Sequence, residues 1–168
     1  NYRAITALFL HADVGHLLGN LAGILIFGAP FIRLAGFGTG PFMLLLTGTL
    51  GNLMTAGLYR TAHLSIGAST SVMGAAGLLA AFQMTRKPKS LSLDTVIPLI
   101  AGATLVGLLS QGERTDVAAH IFGFLNGFLL GFVFFPLNRT ITSPLKEPLA
   151  LLITILILIS SVLSGIFR

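Results

Sequence analysis

The sequence has no cysteine in its 168 residues. That excludes disulfides, thiolate metal sites, iron–sulfur clusters and a cysteine nucleophile. Charge is nearly as scarce: Asp, Glu, Lys and Arg together make up 9% of the chain, against about a quarter in an ordinary soluble domain. So few charges cannot coat a water-facing surface, which excludes a soluble globular domain and a disordered chain. The carboxylates are Asp13, Asp94, Glu113, Asp116 and Glu147, too few and too scattered for a paired-carboxylate mechanism. Basic residues exceed acidic ones, 10 to 5, and the pI is near 10.5. They are spread thinly between apolar runs, whereas a phosphate-binding surface needs them clustered, so no nucleic-acid partner is expected. No basic segment with a short apolar core precedes the first motif, so no signal peptide is expected. Asn1 is not an initiator methionine, and the chain reads as trimmed ahead of it.

What remains is apolar. Hydrophobic residues are 54% of the chain, with 20 glycines, and mean hydropathy is +0.93. A spanning helix needs about 20 mostly apolar residues. Six stretches qualify: 15–32, 40–59, 68–85, 94–110, 116–136 and 148–167. Alternation at period two is missing, which disfavours a membrane barrel. Helices satisfy their own backbone in lipid, so the expected fold is all-α, a polytopic transmembrane helical bundle. Glycine and proline clusters punctuate the spans, as at Gly36 to Pro41 and Pro144 to Pro148. Positive charge sets the orientation. Arg33, Arg86, Lys87, Lys89, Arg139 and Lys146 follow spans one, three and five, and Arg3, Arg60, Arg114 and Arg168 lie at the opposite ends. The bias places the Arg86–Lys89 side in the cytoplasm and starts the odd spans on the outer side.

Strongly polar groups are costly in spanning helices and raise a functional question wherever they occur. Span one carries His16 and Asn20 near its outer start, span three carries Ser69, and span five carries His120. Alternating helix directions put all of them on one side at similar depth. His16 and Asn20 are four apart and share a helix face. His120, Gly123, Gly127 and Gly131 share another, and glycines on such a face allow close helix approach. Ser69 is expected above Ala76 and Ala80 on the facing helix, so that spans three and five meet backbone to backbone. A serine beside a histidine makes a nucleophile and its general base. His16, Asn20 and the backbone N–H groups at the start of the Ser69 helix are available as oxyanion donors.

These residues resemble the rhomboid family of intramembrane serine proteases. His11-x4-His16-x3-Asn20 comes first, Gly67-Ala68-Ser69 followed by Gly74 comes next, and Ala119-His120-x2-Gly123-x3-Gly127 comes last. Tyr2-Arg3 looks like a variant of the family's Trp-Arg pair. The resemblance implies a Ser69–His120 dyad without an acid and an oxyanion hole from His16, Asn20 and the Ser69 N–H. It leaves supporting positions for His11, Gly67 and Met73. It implies a catalytic membrane core over 1–140, the family's first helix being absent, and an extra C-terminal transmembrane helix over 141–168. The implied activity is endoproteolysis of transmembrane substrate helices near the outer face of the cell (inner) membrane, with no cofactor and no metal. Its partners would be transmembrane protein substrates and the lipid bilayer. The sequence departs from the family pattern at Thr70, where glycine is usual, and at Met73, where an aromatic is frequent. The alternative is a weakly active or inactive rhomboid-like protein that binds membrane clients without cutting.

Each residue also has a plain structural reading. Ser69 fits a helix cap, His120 an interhelical hydrogen-bond donor, and His16 with Asn20 polar glue between helices. Asp116 fits the cap of span five better than a third catalytic residue. His63 reads as a solvated loop residue. A metal site from His11, His16 and His120 has only Asp13 and Asp116 nearby for support. A channel or transporter would need polar residues through the full depth of the bundle. The inner halves, such as Ile24 to Phe27 and Phe132 to Phe135, are apolar.

Overall fold

The computed structural model describes residues 2–60, 65–86, 116–140 and 143–167, and no strand occurs among them. A short helix α1 (Arg3–Thr6) runs into a 3-10 turn at Ala7–Phe9. Then come α2 (Val14–Ala35), α3 (Thr39–Tyr59), α4 (Ser69–Arg86), α5 (Val117–Thr140) and α6 (Lys146–Ile166). Five of the six expected spans are therefore helices. The fourth, 94–110, lies outside the described residues, as does His63.

Local chemistry explains the boundaries. Asp13 stands in extended backbone before α2, and its carboxylate accepts the His16 N–H at 2.8 Å, a standard N-cap. Within α2, Pro30 has no N–H to return to the preceding turn. The helix widens there into a π turn over Ile24–Gly28, with the Ala29 N–H bonded to the Ile24 carbonyl. Gly36, at φ +112°, ends α2. Fifth-span helix α5 continues past Pro136, where the expected span stopped, to Thr140. Pro136 is exposed and has room for its ring on the outside of the bundle.

Helices α2, α3, α5 and α6 are long and apolar enough to cross a membrane. Helix α4 is less apolar but sits at the centre, with every residue from Val72 to Leu78 buried. A helix wrapped by other helices need not match lipid. Its main neighbour is α5, and the two run parallel. A Cβ on Gly123 would meet Thr70, one on Gly127 would strike the Gly74 backbone, and one on Gly131 would meet Ala81. The glycine face expected on span five is thus the contact face. The face on α4 is a correction: Thr70, Gly74, Gly77 and Ala81 form it, rather than Ser69, Ala76 and Ala80. Helix α3 packs antiparallel on the other flank, with Thr47, Gly48 and Gly51 against Gly74, Ser71 and Thr70.

The two ends of the bundle differ. At the Arg86 end, Phe31, Ala35, Met43, Leu78 and Phe135 form an apolar cluster, with Phe135 edge-on to Phe31 and tilted against Phe82. The buried polar residues Asn20, Asn52, Thr70 and His120 gather toward the Ser69 end. Helix α6 packs on α3 and α1. Thr154 and Ser161 are its buried positions, and Gly165 lies against Tyr2. Its remaining surface is largely exposed Leu, Ile and Val.

Candidate active site

The site is built from three helix starts. The Asp13 cap fixes the first turn of α2, so that His16 and Asn20 project one turn apart on one face. Asn20 is buried, and one amide N–H donates to the His16 carbonyl at 3.0 Å. Its second N–H remains for another acceptor. Gly67, just before α4, lies against these two side chains. Its φ is +109°, and a Cβ there would stand 2.5 Å from His16 Nε2 and 3.1 Å from Asn20 Nδ2. Glycine is required here twice over, by backbone conformation and by the absence of space. The structure therefore brings His16, Asn20 and Gly67 together. His11 joins them through its ring, edge-on to His16 at 5.3 Å between centroids. Its Nε2 is buried without a hydrogen-bond partner among the described residues.

Ser69 opens α4, half-buried, and the Val72 N–H bonds back to Ala68. A helix start leaves its first N–H groups without partners inside the helix, which suits this end to developing negative charge. His120 lies in the first turn of α5 and is 4% exposed. Asp116 caps that helix, its Oδ1 accepting the Ala119 N–H at 3.0 Å and its carbonyl the His120 N–H. These bonds are those of a helix cap. The parallel register sets the level: Thr70 meets Gly123, and Ser69 and His120 both lie within one turn of that contact, toward the helix starts. His16 and Asp116 are within electrostatic range of His120.

Asn52 was not singled out from the sequence, yet it organises the loop before Ser69. Its Nδ2 donates to the Ala4 carbonyl at 2.9 Å, and its Oδ1 accepts from Thr70 Oγ1 at 3.1 Å and Ser65 Oγ at 3.5 Å. This explains Thr70. The hydroxyl is buried on Asn52, and the methyl fills the notch between Gly51 and Gly123. Met73 is fully buried on α4. A second anchor is the Gly67 N–H, which donates to the Ala7 carbonyl at 2.9 Å. The 3-10 turn after α1 is thereby tied to the serine loop. An asparagine inside an apolar span was the available signal for Asn52, since such groups are rarely idle in a membrane.

The sequence model of the rhomboid domain matches residues 1–137. RHOMBOID-like protein 6, mitochondrial, of Arabidopsis thaliana is 34% identical over 130 residues, covering 75% of this chain and 41% of its own length. RHOMBOID-like protein 2 of the same plant is 31% identical over 173 residues, covering 96% and 53%. Rhomboid-like protease 3 of Toxoplasma gondii is 35% identical over 136 residues, covering 75% and 49%. The chain thus spans about half or less of the length of these relatives. No solved structure gives a significant match. A helical bundle with four helices among the described residues able to cross a membrane and a rhomboid match over most of the chain together establish a multi-pass membrane protein that belongs to the rhomboid family.

Proposed function

We propose that the protein is an intramembrane serine endopeptidase with Ser69 as nucleophile and His120 as general base. The observation that carries the reading is the close approach of His16 and Asn20 to Gly67, two residues before Ser69. That closeness supports side-chain N–H donors from α2 acting together with backbone N–H groups from the α4 start. His120 takes the Ser69 Oγ proton as the oxygen attacks the scissile carbonyl. The carbonyl electrons move to its oxygen, and His16, Asn20 and the Ser69 N–H hold that oxyanion. As the C–N bond breaks, His120 returns the proton to the leaving amine. Water then repeats the sequence on the acyl-enzyme and frees Ser69.

The substrate is a transmembrane helix that unwinds locally, because an intact helix commits its carbonyls to its own hydrogen bonds. The bias of basic residues toward the Arg86 end supports an active site facing the outer side of the cell membrane. The test is labelling of the purified protein by an active-site-directed fluorophosphonate, together with cleavage of a single-span substrate. Wild type is expected to label and cut, and Ser69→Ala to do neither while still inserting in the membrane. Cutting by Ser69→Ala removes the nucleophile assignment. Absence of labelling in folded wild type favours the non-cleaving alternative, a client-binding rhomboid-like protein.

Asn20→Ala separates catalysis from packing. A donor aimed at the oxyanion acts on the transition state and not on the neutral carbonyl. Loss of one such donor costs about 2.7–4 kcal/mol in related chemistry, or about a hundred- to a thousandfold in kcat. Apparent substrate affinity is expected to stay within a few-fold. A lowered melting temperature with unchanged turnover identifies Asn20 as interhelical glue instead.

A further inference from the structure

Helix α1 is four residues long and fully buries none of its side chains. A helix that short does not hold itself, because its first turn fixes several dihedrals for little return. Its place is set by what it packs on, chiefly α3 and α6. On the α3 side the Ala4 carbonyl accepts from Asn52 Nδ2 at 2.9 Å. On the α6 side the contact falls to Tyr2: a Cβ on Gly165 would stand 3.2 Å from its Cε2 and 3.6 Å from its Cδ2. A few residues further on, the chain reaches the serine loop. The Ala7 carbonyl accepts the Gly67 N–H at 2.9 Å, and Leu8 is buried against Gly48, beside Ser71. One short segment, residues 2–8, thus touches α6 at one end and the residues flanking Ser69 at the other.

Helix α6 is itself fixed in height. In its first turn the Glu147 carboxylate accepts the Gly38 and Thr39 N–H groups at 2.8 and 3.0 Å and the Thr39 hydroxyl at 2.6 Å. Its buried hydroxyls bond within the helix, Thr154 to the Ala150 carbonyl at 2.8 Å and Ser161 to the Ile157 carbonyl at 2.7 Å. The polar tie to α3 is therefore at Glu147, and Gly165 lies about 27 Å along the axis from it. A rod held there presents Gly165 to Tyr2 at a set level.

From this we infer that α6 is a brace for the serine loop: its Gly165 end seats Tyr2 and so holds residues 2–8 where they fix Gly67 and Thr70 on either side of Ser69. Ala7 holds Gly67 directly. Ala4 holds Asn52, whose Oδ1 accepts from Thr70 Oγ1 at 3.1 Å. Both ties leave from backbone carbonyls of one segment, so a shift of that segment moves them together. Tyr2 and Gly165 are positioning residues in this scheme, because they act through Gly67 and Thr70. The inference rests on the proposed proteolytic reading and adds to it a helix that lies beyond the residues matched by the rhomboid domain.

The test uses the full chain, a single-span substrate and a fluorophosphonate. Misplacement by about 1 Å costs about a hundredfold in rate. Tyr2→Ala removes one support of several and is expected to lower kcat and the labelling rate together by about tenfold, with KM within about twofold of wild type. Tyr2→Phe keeps the ring and is expected to recover most of the loss. Gly165→Leu crowds the ring from the other side and is expected to match Tyr2→Ala. Leu163→Phe, on the exposed side of α6, is expected to change neither rate. A second measurement is independent of catalysis. Hydrogen exchange at the Gly67 N–H reports its bond to Ala7, and is expected to quicken about tenfold in Tyr2→Ala and Gly165→Leu with exchange across α5 unchanged. Exchange that quickens equally in α5 is general loosening and overturns the brace, as do unchanged exchange and unchanged kcat in both variants. The expected exchange pattern in a protein that neither labels nor cuts rejects proteolysis and retains the brace.

Discussion

Gly67 shows how much of the site hangs on single residues. Its φ of +109° and the nearby His16 and Asn20 side chains leave no room for a methyl group. Gly67→Ala is expected to destabilise the protein by about 1–3 kcal/mol and to depress cleavage further, because the displaced side chains are the proposed oxyanion donors. Thermal unfolding and turnover of the same preparation check this, and full activity would show that the loop relaxes freely. Asn52 and Thr70 form the other exposed test. Removing either breaks the Asn52–Thr70 bond and leaves its other half behind, at about 1–3 kcal/mol, whereas removing both leaves neither half, with only the Ala4 carbonyl and the Ser65 hydroxyl having lost Asn52 as in the single Asn52 variant. Asn52→Ala and Thr70→Val are therefore expected to be less than additive by about 1 kcal/mol in a double-mutant cycle. The His16–Asn20 pair is legible from spacing alone, since four residues make one helix turn. Asn52 was not, because its partners Ala4, Ser65 and Thr70 are distant in sequence and met only by folding.

At the scale of elements, the α4–α5 seam decides the stability of the centre. Gly127→Val drives side-chain bulk into the Gly74 backbone and is expected to cost about 1–3 kcal/mol, with activity falling in step. Gly57 gives the contrast: a Cβ there meets nothing within 4 Å. Gly57→Ala in α3 is expected to stabilise by up to about 1 kcal/mol through helix propensity alone. Unfolding midpoints of the two variants moving in the same direction would mean the seam is misread. The existence of the seam was visible in Gly123, Gly127 and Gly131. Its face on α4 was not, because Gly74, Ala75, Ala76, Gly77, Ala80 and Ala81 make that helix small on several sides. Periodicity cannot choose among faces that are all small, and the choice fell to Thr70, whose methyl and hydroxyl fit one notch.

At the scale of the molecule, the C-terminal helix is joined to the bundle at both ends. Glu147 caps the start of α3 across more than a hundred residues of sequence, and a Cβ on Gly36 or Gly38 would run into it. Lys146 reaches back to Asn138 at 3.0 Å. A partly exposed carboxylate on two backbone N–H groups and a hydroxyl contributes about 1–2 kcal/mol. Glu147→Ala is expected to lose that amount and to make α6 more susceptible to limited proteolysis, with the α4–α5 core unchanged. Equal protease resistance in the variant would show that the small inward stripe of Thr154, Ser161 and Gly165 holds the helix unaided.

The sequence by itself determined the class of molecule, the positions of the five spans that fall among the described residues, and the polar residues worth explaining. Scarce charge and long apolar runs allow little besides a helical membrane bundle, and buried polar groups in such runs stand out. Asp116 could be read as a cap, and His16 with Asn20 as one face, because both depend on neighbours within a turn. The tertiary structure alone decided which sides of α4 meet α3 and α5. It placed Gly67 against His16 and Asn20, gave Thr70 its partner in Asn52, and set α6 against α1 and α3. Each of these is a contact between segments far apart in the chain. Their energies depend on which surfaces happen to be complementary, and local pattern carries no information about that.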